Sequence, residues 1–119
     1  MITFILAILI GIQHLAFLIL EMFLWTKPAG LKIFRLSLAA SQQSKVLAAN
    51  QGLYNGFLAV GLFWATVHSE VIFQYQLKLF FFGCVALAGA FGGVTVNRRV
   101  FFMQGLPAII AVVLTLAHL

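Results

Sequence analysis

Glu21 and His14 are the residues best placed to do chemistry in this 119-residue chain. Only two residues are acidic, and Glu21 falls inside a long apolar stretch. A carboxylate is costly to keep in hydrocarbon, so one found there marks a functional site by default. On a helix each residue advances about 100°, so the seven steps from His14 to Glu21 return to within about 20° of the start. His14, Leu18, Glu21 and Trp25 then share one stripe. The same seven steps set His14 and Glu21 about 10 Å apart along the axis, which suits a molecule held between them better than a direct hydrogen bond.

A second apolar stretch carries Asn50, Gln51, Tyr54 and Asn55 within an arc of about 140°, with Gly52 and Gly56 on roughly the other side. Glu21, Asn50, Gln51, Asn97 and Gln104 all fall near the ends of apolar stretches that meet the basic loops, so they are expected in one layer. His14 and Tyr54 lie deeper. Such a layer reads as the floor and mouth of a pocket open to the cytoplasm. Its expected ligand-binding residues are His14, Glu21, Trp25, Asn50, Gln51, Tyr54, Asn55 and Gln104. Amides and Tyr also bond one another across membrane helices as glue, but an amide would do that at lower cost than Glu21. Proton coupling, cation binding and general acid/base work are all open to such a carboxylate.

No nucleophile–base pair is apparent, and the chain has no Asp. Ser37, Ser41 and Ser44 are expected in a loop with no adjacent His, so no catalytic residue is assigned. Neither metal-ligand spacing nor a cofactor motif occurs, and neither a metal nor a cofactor is expected.

The elements that position these residues follow from composition. The chain is 64% hydrophobic and 8% charged, with a mean hydropathy of +1.14. A soluble domain of this size cannot bury that much apolar surface, so the lipid bilayer is the expected solvent. Four stretches, about 2–25, 47–67, 73–96 and 101–119, have the roughly 17–25 residues of a spanning helix. The expectation is one all-α domain over 1–119, a polytopic membrane protein built as a four-transmembrane-helix bundle. The stretches are continuously apolar rather than alternating, which argues against a β-barrel. The first lacks a basic start and holds Gln13, His14 and Glu21, so it reads as a retained helix, not a signal peptide. Cys84, the single cysteine, lies inside the third stretch as a small buried hydrophobe.

The net charge of +5 does not point to nucleic acid, because of where it lies. Lys27, Lys32, Arg35 and Lys45 sit between the first two stretches and Arg98 and Arg99 between the last two, whereas Lys78 alone lies on the other side. By the positive-inside rule, loops 26–46 and 97–100 face the cytoplasm and both termini face out, in a cell inner membrane. Residues 31–45 alternate apolar and polar side chains, as a short amphipathic helix on the inner leaflet would. Pro28 and Gly30 are expected to break the helix. Gly52/Gly56 and Gly89/Gly93 have G-x-x-x-G spacing, which suits close packing within the bundle first and a homodimer second. Pro107 should kink the last helix.

The stretches His14-Leu-Ala-Phe-Leu-Ile-Leu-Glu21-Met-Phe-Leu-Trp25, Leu47-Ala-Ala-Asn-Gln-Gly-Leu-Tyr-Asn-Gly-Phe-Leu-Ala59 and Gln104-Gly-Leu-Pro-Ala108 resemble the small bacterial membrane proteins grouped as domain of unknown function 1304. The resemblance covers essentially the whole chain. It implies a four-helix integral membrane protein whose motifs coincide with the polar layer, and it implies no activity. Small multidrug exporters share the length and a glutamate in the first helix. Here, however, Glu21 lies near the cytoplasmic end and the motifs differ, so the likeness is one of architecture.

The leading functional expectation is small-molecule binding or transport, with Glu21 as ionisable anchor and His14 as proton partner. Few polar residues lie in the outer half, which favours binding over transport. The rivals are an accessory or structural membrane subunit, and an intramembrane enzyme, isomerase-like, using Glu21 and His14 as an acid/base pair.

Overall fold

The computed structural model describes residues 1–119. Every regular element is helical: α1 (Ile2–Met22), α2 (Pro28–Phe34), α3 (Leu38–Val67), α4 (Val71–Thr95), α5 (Arg98–Val100), a π-helical turn (Phe101–Gly105) and α6 (Leu106–Leu116). The fold is all-α and polytopic. Four helical stretches, Ile2–Met22, Leu38–Val67, Val71–Thr95 and Arg98–Leu116, are long and apolar enough to cross a membrane. Phe80, Leu87, Phe91 and Val94 of α4 are largely exposed, an outward apolar face that hydrocarbon rather than water suits.

The segment 31–45 is not one amphipathic helix. Pro28 opens α2, where a missing N–H costs nothing and φ is already helical. Arg35 then takes φ 54°, a left-handed conformation, and ends α2. Ser37 starts the next helix by accepting a hydrogen bond from the Ala40 N–H at 3.1 Å, the usual N-cap arrangement. The second long helix therefore begins at Leu38 rather than near residue 47. Its 30 residues span about 45 Å, more than the roughly 30 Å of hydrocarbon, so its polar first turns are surplus to a crossing. Ser41 and Ser44 are accordingly helical, with their hydroxyls bonded to the carbonyls of Leu38 and Ala40 at 2.8 Å each.

Near Pro107 the chain adopts a wide turn. The Leu106 N–H reaches back to the Phe101 carbonyl, five residues earlier. Proline has no N–H and crowds the carbonyl four residues before it, and a π-turn is one way for a helix to absorb that mismatch.

The chain divides into two compact units, one formed by Met1–Gly11 with Val60–Leu119 and the other by Ile12–Ala59. The first has a core of Ala7, Leu62, Ala65, Phe82, Val85, Ala108 and Ala111, all essentially inaccessible. Here α4 meets the π-turn backbone to backbone: a Cβ added to Gly89 would lie 2.4 Å from the Gly105 Cα. Only glycine allows helices to approach so closely, and in lipid that contact supplies dispersion where the hydrophobic effect is absent. In the second unit, α1 and α3 run antiparallel. A Cβ on Gly52 would lie 3.0 Å from the Glu21 Cβ, and one on Gly56 would lie 2.5 Å from Leu18 Cδ1. Both glycine pairs pack against neighbouring segments of the same chain.

Candidate ligand pocket around Glu21

The second unit brings Glu21 to the last turn of α1, where its side chain is 3% exposed. The close packing of Leu18 on Gly56 and of Glu21 on Gly52 sets the helix spacing. At that spacing Asn55 of α3 reaches across, and its Nδ2 donates to Glu21 Oε1 at 2.8 Å. Glu21 Oε2 is buried and has no hydrogen-bond partner. The side chain of Gln51, one turn earlier on α3, also interacts with the carboxylate.

Beside the carboxylate lies an open pocket of about 380 Å³, lined by Glu21, Met22, Trp25, Lys45, Ala49 and Asn50 among others. Its rim is built by the turn after α1. The Trp25 ring stands 4.7 Å from that of Phe34 in α2, and its indole N–H donates to Ser44 Oγ of α3 at 3.0 Å. Gly30 closes the corner: a Cβ there would lie 2.0 Å from the Leu24 carbonyl oxygen. Trp25 thus holds α2 and α3 together, a structural task beyond the interfacial position expected of it.

The pocket holds one acidic and one basic side chain, Glu21 and Lys45. Lys45 is exposed and not ion-paired to the carboxylate. A molecule presenting a hydrogen-bond donor or positive group to the Glu21 side chain would complement the one acidic group of the pocket.

Of the residues expected to form the site, Glu21, Trp25 and Asn50 line the pocket, and Asn55 and Gln51 act on the carboxylate. Tyr54 does not join them. It is 62% exposed and packs at 5.9 Å on Phe57. His14 is fully buried on α1, edge-on to Phe17 at 5.6 Å, and is not part of the pocket lining. Gln104 belongs to the first unit, in the π-turn. Asn97 is exposed and caps α5, accepting from the Arg99 N–H at 2.9 Å.

The expected split of α3 into a polar face and a packing face needs correcting. Asn55 lies three residues, about 60° of arc, from Gly52, so it borders the face turned to α1. Tyr54 is about 160° from Gly52 and points away. Lys45, in the pocket lining, and Ser44, which accepts from Trp25, are helical residues that the loop assignment of 31–45 misplaced. Their helical spacing from Ala48, Gly52 and Gly56 was the available signal.

A family model described as "Protein of unknown function (DUF1304)" matches residues 8–116. A curated relative, the uncharacterized protein YpaA of Lactococcus lactis subsp. lactis (strain IL1403), is 27% identical over 113 residues, covering 93% of this chain and 93% of its own. No solved structure matches the chain.

Proposed function

The chain belongs to the DUF1304 family, and we propose that it binds a small polar molecule in a membrane-embedded pocket centred on Glu21. One observation carries this reading: a buried carboxylate, held by Asn55 with Gln51 beside it, on a residue that lines an open pocket. The ligand presents an amine, hydroxyl or cation towards the Glu21 side chain. Glu21 is the anchor, Asn55 its positioning residue, and Asn50, Gln51 and Trp25 orient the ligand at the rim. Transport is the extension of this binding, and it requires a route to the opposite face.

The basic residues Lys27, Lys32, Arg35, Lys45, Arg98 and Arg99 support an orientation with the pocket mouth towards the cytoplasm of an inner membrane and both termini outside. A Lys45 side chain at the mouth adds selectivity for molecules that also carry an acceptor or negative group.

The test is a thermal-shift screen of purified protein against small amines, alcohols and monovalent cations, with wild type beside Glu21→Gln. A ligand at a hundred times its Kd stabilises the folded state by about 2.7 kcal/mol. The expected result is at least one probe that stabilises wild type and leaves Glu21→Gln unmoved. No response to any probe, with Glu21→Gln as stable as wild type, would leave Glu21 as a helix-packing group and favour the structural-subunit reading.

A further inference from the structure

The Glu21 pocket lies wholly within the second unit, and its depth follows from the helices that build it. The 21 residues of α1 rise about 30 Å, the thickness of the hydrocarbon, so Glu21, next to the last of them, stands at the hydrocarbon edge. On α3 about the last 20 residues suffice for the crossing. Lys45 and Val46 then fall just outside the hydrocarbon, and Ala49 and Asn50 just inside it. Two lining residues are apolar and turned outward: Phe23 is 65% exposed and Val46 68%. A pocket at this depth, flanked by exposed apolar side chains, meets lipid as well as water.

The charged part of the wall is Glu21 and Lys45. Glu21 is buried and Lys45 is exposed. A simple cation would leave the Lys45 ammonium unmatched, and a simple anion would leave the carboxylate unmatched. A zwitterion matches both. Burial also sets the order of its charges: the positive end goes in towards Glu21 and the negative end stays at the rim with Lys45. Beyond the rim come the apolar side chains of Phe23 and Val46. Ammonium, then phosphate, then glycerol and acyl chains is the order of groups along an aminophospholipid.

Building on the Glu21-centred site proposed above, we propose that this pocket holds the head group of an aminophospholipid. Its primary ammonium meets Glu21, its phosphate meets Lys45, and the start of its acyl chains lies against Phe23 and Val46. The volume of about 380 Å³ falls in the range of about 300–1,000 Å³ typical of ligand pockets, and the chains remain outside it. A primary ammonium suits the carboxylate better than a choline head does. It donates hydrogen bonds, as Asn55 does to the same group, whereas a quaternary ammonium has no N–H and is held by aromatic cages.

The experiment measures thermal stability in maltoside micelles with short-chain phosphatidylethanolamine, phosphatidylcholine and phosphatidylglycerol, and with free phosphoethanolamine. Phosphatidylethanolamine is expected to stabilise wild type more than phosphatidylcholine, which lacks the N–H, or phosphatidylglycerol, which lacks the ammonium. Glu21→Gln is expected to lose that preference. Lys45→Gln is expected to raise the lipid concentration needed several-fold, the worth of an exposed ion pair. Lys32 is exposed and outside the lining, so Lys32→Gln is expected to keep the full response, which separates the pocket from a general attraction of the basic loops. Should Glu21→Gln not fold, Lys45→Glu, at an exposed position, reads the same site by reversing the charge that meets the phosphate, and the preference should again be lost. An equal response to the three lipids, or an undiminished preference in Lys45→Glu, overturns the proposal. Stabilisation through Glu21 by phosphoethanolamine, with none by phosphatidylethanolamine, overturns the lipid ligand and leaves small-molecule binding at Glu21 standing. No response to any probe overturns the lipid ligand, and a simultaneous failure of the soluble amines overturns the Glu21-centred site with it.

Discussion

Asn55 donates a 2.8 Å hydrogen bond to the carboxylate of Glu21, tying the middle of α3 to the last turn of α1. The bond exists because Leu18 and Glu21 pack onto Gly52 and Gly56, which bring the helix backbones close. Asn55→Leu is therefore expected to leave the buried carboxylate without its partner and to destabilise the protein by about 1–3 kcal/mol. In a double-mutant cycle with Glu21→Gln the coupling should be about 0.5–2 kcal/mol. Reversible unfolding in mixed micelles measures it. Additive losses would mean that the two side chains do not act as a pair.

The glycines can be ranked. An alanine Cβ at Gly89 would meet the Gly105 backbone at 2.3 Å, whereas at Gly92 it would meet the Val100 side chain, Cγ1 at 2.5 Å and Cβ at 3.4 Å. A side chain can shift more readily than a backbone, even one as stiff as valine. Gly89→Ala should therefore cost more than Gly92→Ala, with overpacking of about 1–3 kcal/mol or more at Gly89. Gly83 has nothing within 4 Å, so Gly83→Ala should be neutral or stabilising by about 0.4–1 kcal/mol. Thermal denaturation of the three variants checks the order, and an equal loss at all three would refute it.

Four apolar stretches, the two small-residue spacings and the place of Glu21 inside the first stretch were legible in the sequence, because helical period and hydropathy are local facts. Asn55 was legible as polar but not as a partner of Glu21. Its neighbour Tyr54 looked equally suitable until the small residues Ala48, Gly52, Gly56 and Ala59 showed which face is buried. The corner at Trp25 was not legible. It depends on Arg35 at φ 54°, a conformation that sequence does not assign to arginine, and on a Ser44 placed by the helix that begins after it.

Trp25 makes that corner testable. Trp25→Phe keeps an aromatic ring against Phe34 and removes the indole N–H that reaches Ser44. The expected loss is about 1 kcal/mol. Ser44→Ala should cost about the same, and the double variant little more than either single one. Fully additive losses in a denaturant titration would show that the indole N–H is not spent on Ser44.

Topology can be read with one thiol at a time. In a Cys84→Ala background, Ser37→Cys lies between α2 and α3 and Glu70→Cys lies at the start of α4. If the basic loops face the cytoplasm, a membrane-impermeant maleimide added to intact cells should label Glu70→Cys and spare Ser37→Cys until the cells are broken. The reverse pattern would invert the orientation and turn the Glu21 pocket to the outside.

Ala49 separates a ligand pocket from a structural carboxylate. It lines the pocket beside Glu21 but takes no part in the Glu21–Asn55 bond. Ala49→Phe should fill much of the open space and leave the α1–α3 contact intact, so intrinsic stability should change by no more than about 0.5 kcal/mol. Any molecule that stabilises wild type through Glu21 should then lose its effect. If Ala49→Phe responds to that molecule as wild type does, the ligand binds elsewhere, and Glu21 with Asn55 serves to lock two helices together. If the response disappears while the Glu21–Asn55 coupling persists, the carboxylate does both: it fixes the helices and it meets the ligand.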